Sequence, residues 1–375
     1  MNILLVGAGG YARLYVDALL ESTDKDAVLV GVVDPYIENS PVKDKIRAAN
    51  IPVYDDMEAF FAEHSAELAL IATPPFLHCA QSICALSHGA AVLCEKPVAP
   101  TLEEAERMLA AEKHYGKFIA VGYQWSYANE LQALKRDILD GVLGRPVCLK
   151  TLIAWPRNRA YYARGGGWGG RIVKDGVTVL DSVASNACAH YLHNMLFMLG
   201  DTMQTSAAPE TVDACLLRAN EIENFDTCAI KIGMKNGTEL LFVASHAAEQ
   251  AHEPTFTYTF ENAEVRYSEG DAEGEIVAFF HDGSRKSYGR PINHTFKKVW
   301  DCVEALRTGT RPICTVATAM EHTRVIDRLW KECEIRSVPR ALLHEDLAED
   351  RVWVEGLYEK MLAVYDSGDL SKLQF

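Results

Sequence analysis

No two of the ten cysteines stand in a Cys-x-x-Cys pair; Cys79, Cys84, Cys94, Cys148, Cys188, Cys215, Cys228, Cys302, Cys314 and Cys333 are spread along the chain. In 375 residues that scatter reads as reduced, mostly buried thiols and argues against a structural zinc site. Positive charge is scarce too: 37 Lys and Arg face 52 Asp and Glu, for a formal net charge of −15, and the cations form no basic block. Nucleic acid and anionic membrane surfaces both need a positive face to release or recruit counterions, so neither is an expected partner. No apolar run approaches the roughly 20 residues of a membrane span. No basic leader or small-residue cleavage site precedes the first glycine turn, and the cytoplasm is the expected compartment. Internal repeats and low-complexity segments are absent as well. What is present, 49% hydrophobic and 24% charged residues, is globular composition on a chain long enough for two domains.

The first dozen residues organise the rest. Asn2 to Val6 read as a short buried strand, and Gly7-Ala8-Gly9-Gly10-Tyr11-Ala12 opens an amphipathic run to about Leu20. Strand, glycine turn and helix in succession are the context of a dinucleotide fingerprint. Gly7 permits the tight turn, Gly9 removes a side chain where a pyrophosphate approaches, and Ala12 takes the third glycine's place against the strand. Gly10 and Tyr11 complete the turn, whose free N–H groups face the phosphates. The next strand, Val28 to Val33, ends at Asp34, where a carboxylate accepts hydrogen bonds from an adenosine ribose. An Asp there repels a 2′-phosphate, and neither Pro35 nor Tyr36 supplies a cation, so NAD is expected over NADP. The alternative for Asp34 is an ordinary strand-end turn residue.

Strands and helices alternate through the first third. Helices are expected at Val42 to Ala49, Asp56 to Glu63, Phe76 to Ser87 and Leu102 to Tyr115. Strands are expected at Val53-Tyr54, Leu68 to Ala72, Ala91 to Cys94 and Phe118 to Val121. Thr101 and Glu104 have capping-box spacing. This grammar predicts an α/β fold, a doubly wound parallel sheet in an N-terminal Rossmann domain over residues 1–123. A helix from Asn129 to Leu139 leads into residues 124–375, where long strands take over: Val147 to Ala154, Val212 to Arg218, Cys228 to Met234, Glu239 to Ser245, Thr255 to Phe260 and Ile276 to Phe280. They predict an α+β domain on an open, largely antiparallel sheet that binds substrate and mediates oligomerisation. Helices are expected at Ser182 to Leu199, His294 to Leu306, Val316 to Cys333 and Asp346 to Tyr365.

Chemistry-bearing residues cluster at strand ends. Ala72-Thr73-Pro74-Pro75 ends the fourth strand, with His78 one turn into the next helix; the bland reading makes the prolines strand stops and His78 a solvated helix end. Cys94-Glu95-Lys96-Pro97 ends the fifth. A partly desolvated Lys96 beside a nicotinamide can lower the pKa of a substrate hydroxyl or take its proton; the alternative is a surface ion pair. Arg164-Gly165-Gly166-Gly167-Trp168-Gly169-Gly170 follows Trp155, Arg157, Tyr161 and Tyr162. It reads either as a plain flexible surface loop or as a lid in which Trp168 stacks on a substrate ring while Tyr162 or Arg164 contacts its polar groups.

GAGGYA, the acidic end of strand two, ATPPFLH, CEKPVAPT, VGYQW and HYLHNMLFMLG together resemble the glucose-fructose oxidoreductase, inositol dehydrogenase and rhizopine-catabolism (Gfo/Idh/MocA) family, over roughly residues 1 to 335. The resemblance implies NAD(P)-dependent oxidation of a sugar or cyclitol hydroxyl to a ketone, or the reverse. Carried over residue by residue, it makes Lys96 and His190 catalytic. Gly7, Gly9, Gly10, Tyr11, Ala12, Asp34, Thr73, Pro74, His78, Glu95, Lys96 and Gln124 become cofactor contacts, and Asn186 and His193 substrate contacts; Tyr162, Trp168 and Arg164 join the substrate contacts from the loop itself, where this chain looks least like the family. Asn186 stands where the family usually has Asp, and His193 where a later Asp falls. Asn186 can hydrogen-bond but cannot act as a base, leaving proton transfer to Lys96 and His190, with Asp181 a possible substitute carboxylate. His190 and His193 are one turn apart, yet no third ligand is evident and no metal is expected. Two rival functions are an NAD-dependent glycosidase working by transient oxidation and elimination, and a non-catalytic NAD sensor. A homodimer or homotetramer is expected, because an open sheet exposes a face that a second subunit can cover.

Overall fold

A computed structural model describes residues 1–24, 26–271, 274–291 and 296–375. Continuous apolar runs form its first sheet, as expected of strands covered on both faces. They are β1 (Asn2–Val6), β2 (Val28–Val33), β3 (Val53–Tyr54), β4 (Leu68–Ile71), β5 (Ala91–Cys94) and β6 (Ile119–Val121), in the order β3-β2-β1-β4-β5-β6. Every pairing is parallel. The order reverses between β1 and β4, which marks the carboxyl ends of these strands as the ligand edge of such a sheet. Local chemistry sets the helix limits: Asp56 caps Met57–Glu63 by accepting from Ala59 N, and Thr101 caps Leu102–Tyr115 by accepting from Glu104 N. Gly116, at φ 67°, ends the latter helix in the left-handed conformation.

Two compact units emerge, Met1–Tyr127 with Asn293–Met320, and Ala128–Ile292 with Glu321–Phe375. The sequence reading places one boundary after Tyr123, whereas the later segment returns to the first unit. Its helix Lys297–Thr308 contributes Val299, Cys302 and Val303 to the core built on Ile3, Leu5, Tyr15 and Leu70. Val121 N then bonds Cys314 O at 2.9 Å, beside a bridge between Ala120 and Thr315. The start of the helix expected from His294 lies outside the described residues.

The second unit is built on a nine-stranded sheet. Its members are β7 (Pro146–Ala154), β10 (Pro209–Arg218), β11 (Thr227–Met234), β12 (Glu239–Ser245), β13 (His252–Phe260), β14 (Ala263–Ser268), β15 (Ile276–Phe280), β16 (Arg285–Gly289) and β17 (Ile335–Ser337). Between β7 and β10 in the chain, β8 (Val173–Lys174) and β9 (Val177–Thr178) form a small hairpin of their own. The order is β16-β15-β14-β13-β7-β12-β11-β10-β17. Only β7/β12 and β10/β17 are parallel, so the sheet is largely antiparallel, as expected. Helix Leu357–Ser367 covers one face, burying Leu357, Met361 and Val364 against Leu152, Leu241 and Val243. Among the described residues, no helix is long and apolar enough to cross a membrane.

Two helix expectations and one loop expectation need correction. Ser182 to Leu199 is a π-helical turn, Val183–Ala187, followed after Cys188 by the α-helix Ala189–Met198. Asp346 to Tyr365 begins as a hairpin, β18 (Leu343–Asp346) with β19 (Arg351–Val354), where Val352-Trp353-Val354 favours a strand; the helix starts only at Leu357. The glycine-rich stretch is not a plain loop. Helical structure begins at Arg159, capped by the Asn158 side chain accepting from Tyr161 N, and Arg164, Gly165 and Gly166 then leave helical geometry.

Candidate functional site

The turn after β1 has one tight end and one open end. Gly7, at φ 91°, donates to Val33 O at 2.8 Å, and a Cβ there would lie 3.0 Å from Ala72 O and 3.2 Å from Thr73 Cγ2. At Gly9 and Gly10 an added Cβ would meet nothing within 4 Å, and both residues are exposed with Tyr11. No side chain caps the helical turn Gly10–Ala12, so its N–H groups remain available to an oxygen-rich ligand. Ala12 is fully buried, which is why no larger side chain suits it. Asp34 Oδ2 accepts from Ala8 N and Oδ1 from Tyr36 N, both at 2.8 Å. Asp34 therefore braces the glycine turn, and each carboxylate oxygen keeps a further lone pair for a ribose hydroxyl. Open glycines, free N–H groups and a carboxylate at the end of β2 fit a dinucleotide.

The ends of β4 and β5 are cross-tied. Thr73 Oγ1 donates to Gln81 Oε1 at 2.5 Å, and Pro74 is extended ahead of the turn that begins at Pro75. His78 is fully buried rather than on a solvated helix end. Its Nδ1 lies 2.9 Å from Pro97 O and its Nε2 2.9 Å from Thr73 O, which staples the two loops together. Burial pulls its pKa down, against the pull of those two carbonyls.

Glu95 is buried, and its ion pair is with Lys298. Tyr15 Oη and the ammonium of Lys298 both donate to Glu95 Oε1, and Lys96 N donates to Oε2 at 3.2 Å. Burial favours the neutral carboxyl, but Lys298 and the Tyr15 hydroxyl outweigh it and hold the pKa below the usual value. Gly122 makes room: a Cβ there would lie 3.0 Å from both carboxylate oxygens. Lys298 is fully buried, its Nζ 5.1 Å from the Tyr11 ring centre and 5.4 Å from that of Tyr15. The sequence reading missed Lys298, whose only signal is a lysine within a helical run of buried residues. Lys96 itself is half-buried, and half-buried Gln124 opens the short helix Gln124–Tyr127.

In the second unit, His190 is half-buried while His193 is fully buried and stacks with Phe197 at 5.9 Å. Burial, reinforced by His322 and Lys135, drives the His193 pKa well down. Asn186 Nδ2 donates to Asp181 Oδ1 at 2.8 Å, and Gly170 N donates to Asp181 Oδ2 at 2.6 Å. Arg164 Nη2 lies 3.5 Å from the same carboxylate. Among the described residues, the only trio of His, Cys, Asp or Glu side chains close enough to share an ion is Glu58, Cys84 and His88, none of them buried and all remote in sequence from His190 and His193.

Arg164 stacks over Tyr161 at 3.8 Å and over Trp168 at 4.3 Å, so Trp168 is buried and its ring is covered on the guanidinium side. Arg157 lies over Trp155 at 5.6 Å and Tyr161 at 5.0 Å. The Tyr161 ring meets that of His246 edge-on at 5.3 Å, and Tyr162 lies 6.5 Å from the same imidazole. His246 and Asp226, both buried, join this cluster from distant strand ends, and the sequence reading did not single them out.

The first unit's strand order, open glycine turn and acidic strand end define a Rossmann-type nucleotide-binding domain. Residues 1–123 match the model of the Gfo/Idh/MocA family, described as an oxidoreductase family with an NAD-binding Rossmann fold, and this domain belongs to that family. The chain is 29% identical over 144 residues to D-glucoside 3-dehydrogenase of Escherichia coli, a match covering 38% of this chain and 40% of the relative. With D-apiose dehydrogenase of Paraburkholderia graminis it shares 25% identity over 316 residues, 80% of this chain and 76% of the relative. The first relatives are thus matched over less than half of their length, within a segment much shorter than this chain. The crystal structure of the WlbA dehydrogenase from Bordetella pertussis, in complex with NADH and UDP-GlcNAcA, superposes with a TM-score of 0.73 at 22% identity, covering 88% of this chain and 94% of that one. That likeness shows the fold of both units.

Proposed function

We propose that the protein is a nicotinamide-dependent dehydrogenase, with NAD preferred over NADP, that interconverts a hydroxyl and a ketone on a sugar, sugar derivative or cyclitol. The observation that carries this reading is the glycine turn, open at Gly9 and Gly10 and braced by Asp34, beside the cross-tied ends of β4 and β5. The names of the dehydrogenases matched above support the substrate class. Gly9, Gly10 and Tyr11 offer backbone to the phosphates, Asp34 takes the adenosine ribose, and Thr73, Pro74 and Gln124 border the remainder. When bound, the cofactor supplies the hydride acceptor or donor. Lys96 holds and moves the proton of the substrate oxygen, its backbone fixed by the bond from its own N–H to Glu95. His190 shares that proton traffic, and Asn186 and the 155–168 segment position the substrate. Asp181 accepts from Gly170 N and Asn186 and pairs with Arg164, so it orients Asn186. A cytoplasmic dimer or tetramer with the second unit as its substrate-binding part completes the proposal.

The test is reduced-nicotinamide absorbance when the protein meets NAD and a panel of sugars, cyclitols and glycosides. Turnover that falls at least a hundredfold in Lys96→Met, with NADH binding retained, is the expected result. Unchanged turnover in that variant removes Lys96 from the mechanism, and aglycone release without net NADH formation favours the glycosidase.

A further inference from the structure

We propose that the second unit contains a subsite for a negatively charged group on the substrate, a carboxylate or phosphate borne by a sugar, formed by Arg157, Arg164, Tyr162 and His246. The proposal rests on the sugar-oxidoreductase reading for the nature of the carrier, but the subsite is argued from side chains in this unit alone.

Backbone pairing brings the members together. Trp155 N donates to Ser245 O and Arg157 N to His246 O, at 2.9 and 3.0 Å, so β7 and β12 continue side by side past their ends and place Arg157 beside His246. The helical turn that starts at Arg159 adds Tyr162 and Arg164. Arg157 Nε, Tyr162 Oη and His246 Nε2 are buried polar atoms without a hydrogen-bond partner among the described residues, and Arg164 Nη2 has only its 3.5 Å ion-pair contact with Asp181. His246 is 1% exposed, and both guanidinium groups act on its imidazole. An unpartnered buried polar atom is costly, and the Arg157 and Tyr162 donors together with His246 Nε2 mark a place built for a polar ligand.

The acceptor's charge follows from the neighbouring carboxylates. Asp181 is engaged by Gly170 N, Asn186 and Arg164. Asp226 accepts from Ala219 N, Asn220 N, the Asn220 side chain and the Thr227 hydroxyl. Arg157 makes no ion pair among the described residues and lies over the faces of Trp155 and Tyr161. The guanidinium N–H and phenol O–H donors of this half-buried cluster match an acceptor-only oxyanion better than a neutral polyol, which leaves the Arg157 charge uncompensated. In a chain of net charge −15, such a local excess of donors also lets an anionic substrate bind against an unfavourable overall field.

Calorimetric titration of the full-length protein with D-glucuronate, D-gluconate, D-glucose 6-phosphate and D-glucose, plus acetate and inorganic phosphate as probes of the group alone, tests this. We expect at least one anion to bind tenfold or more tightly than D-glucose, and the identity of that anion separates carboxylate from phosphate recognition. Arg157→Met is expected to abolish the preference, Arg157→Lys to restore part of it, and neither to change NADH affinity. Equal binding of charged and neutral probes, a preference that survives Arg157→Met, or no Arg157-dependent binding of any anion overturns the proposal. A parallel NADH titration reads the nicotinamide assignment separately: anion binding with no NADH binding defeats that assignment and leaves the subsite standing.

Discussion

Each unit buries a cluster of charged side chains, and the two clusters differ in whether they are complete. In the first unit Lys298 and Tyr15 both donate to Glu95, and Lys96 N takes the second carboxylate oxygen. In the second, Arg157, Tyr162 and His246 keep buried polar atoms without hydrogen-bond partners among the described residues, and Arg164 Nη2 has only its 3.5 Å contact with Asp181. A closed cluster holds its neighbours in place, here the loop that carries Lys96. An open one is organised for something the chain does not supply. Burial alone therefore does not separate structural from functional charge; the state of the hydrogen bonds does.

The largest expected effect breaks the closed cluster. Lys298→Met leaves Glu95 buried without its cation and should cost about 3–5 kcal/mol of stability by urea denaturation, while Glu95→Gln with Lys298→Met should recover most of it. Next comes acid sensitivity in the second unit. Burial is the main cause holding His193 and His246 well below the ordinary 6.5, so they stay neutral in the fold while the unfolded chain takes up protons below that value. Stability should then fall as pH drops below 6.5 toward the folded pKa values, by up to about 1.4 kcal/mol per pH unit for each histidine. Urea midpoints across that range check the slope, and replacing either histidine by Phe should flatten it.

Gly7→Ala should cost about 1–3 kcal/mol, because the added methyl meets Ala72 O from a left-handed backbone, and should weaken NADH binding. The smallest effect is expected where the cluster is open: Arg157→Met should change ligand-free stability by less than about 1 kcal/mol, since it removes a buried donor that no protein group satisfies. A loss as large as that of Lys298→Met would erase the contrast between the clusters.

Features that depend on adjacent residues were readable from the chain. Ala91–Cys94 and Leu102–Tyr115 have the expected limits because an apolar run, a threonine cap and a terminal glycine act locally. The glycine turn and Asp34 follow one another within a single strand-helix-strand unit, although the bonds from Ala8 and Tyr36 to Asp34 were not foreseen. Lys298 and His246 could not be read this way, since each gains its meaning from partners far away in sequence, Glu95 and Tyr15 for one and Arg157 and Tyr161 for the other. The hairpin at Leu343–Val354, where a helix was expected from Asp346, was hidden for a related reason: it rests on the pairing of Val352 with Glu345 and Val354 with Leu343.

Hydride transfer itself is the central claim, and an isotope follows it even if the cofactor never leaves the protein. Substrates that pass the NAD panel, and the sugar acids and sugar phosphate alongside them, would be prepared with deuterium on the carbinol carbon and incubated with the protein and NAD. The nicotinamide recovered after denaturation would then be analysed by mass spectrometry. The account predicts deuterium on the nicotinamide ring with wild-type protein and its loss with Lys96→Met. NAD that binds but never acquires deuterium from any of these substrates would contradict it.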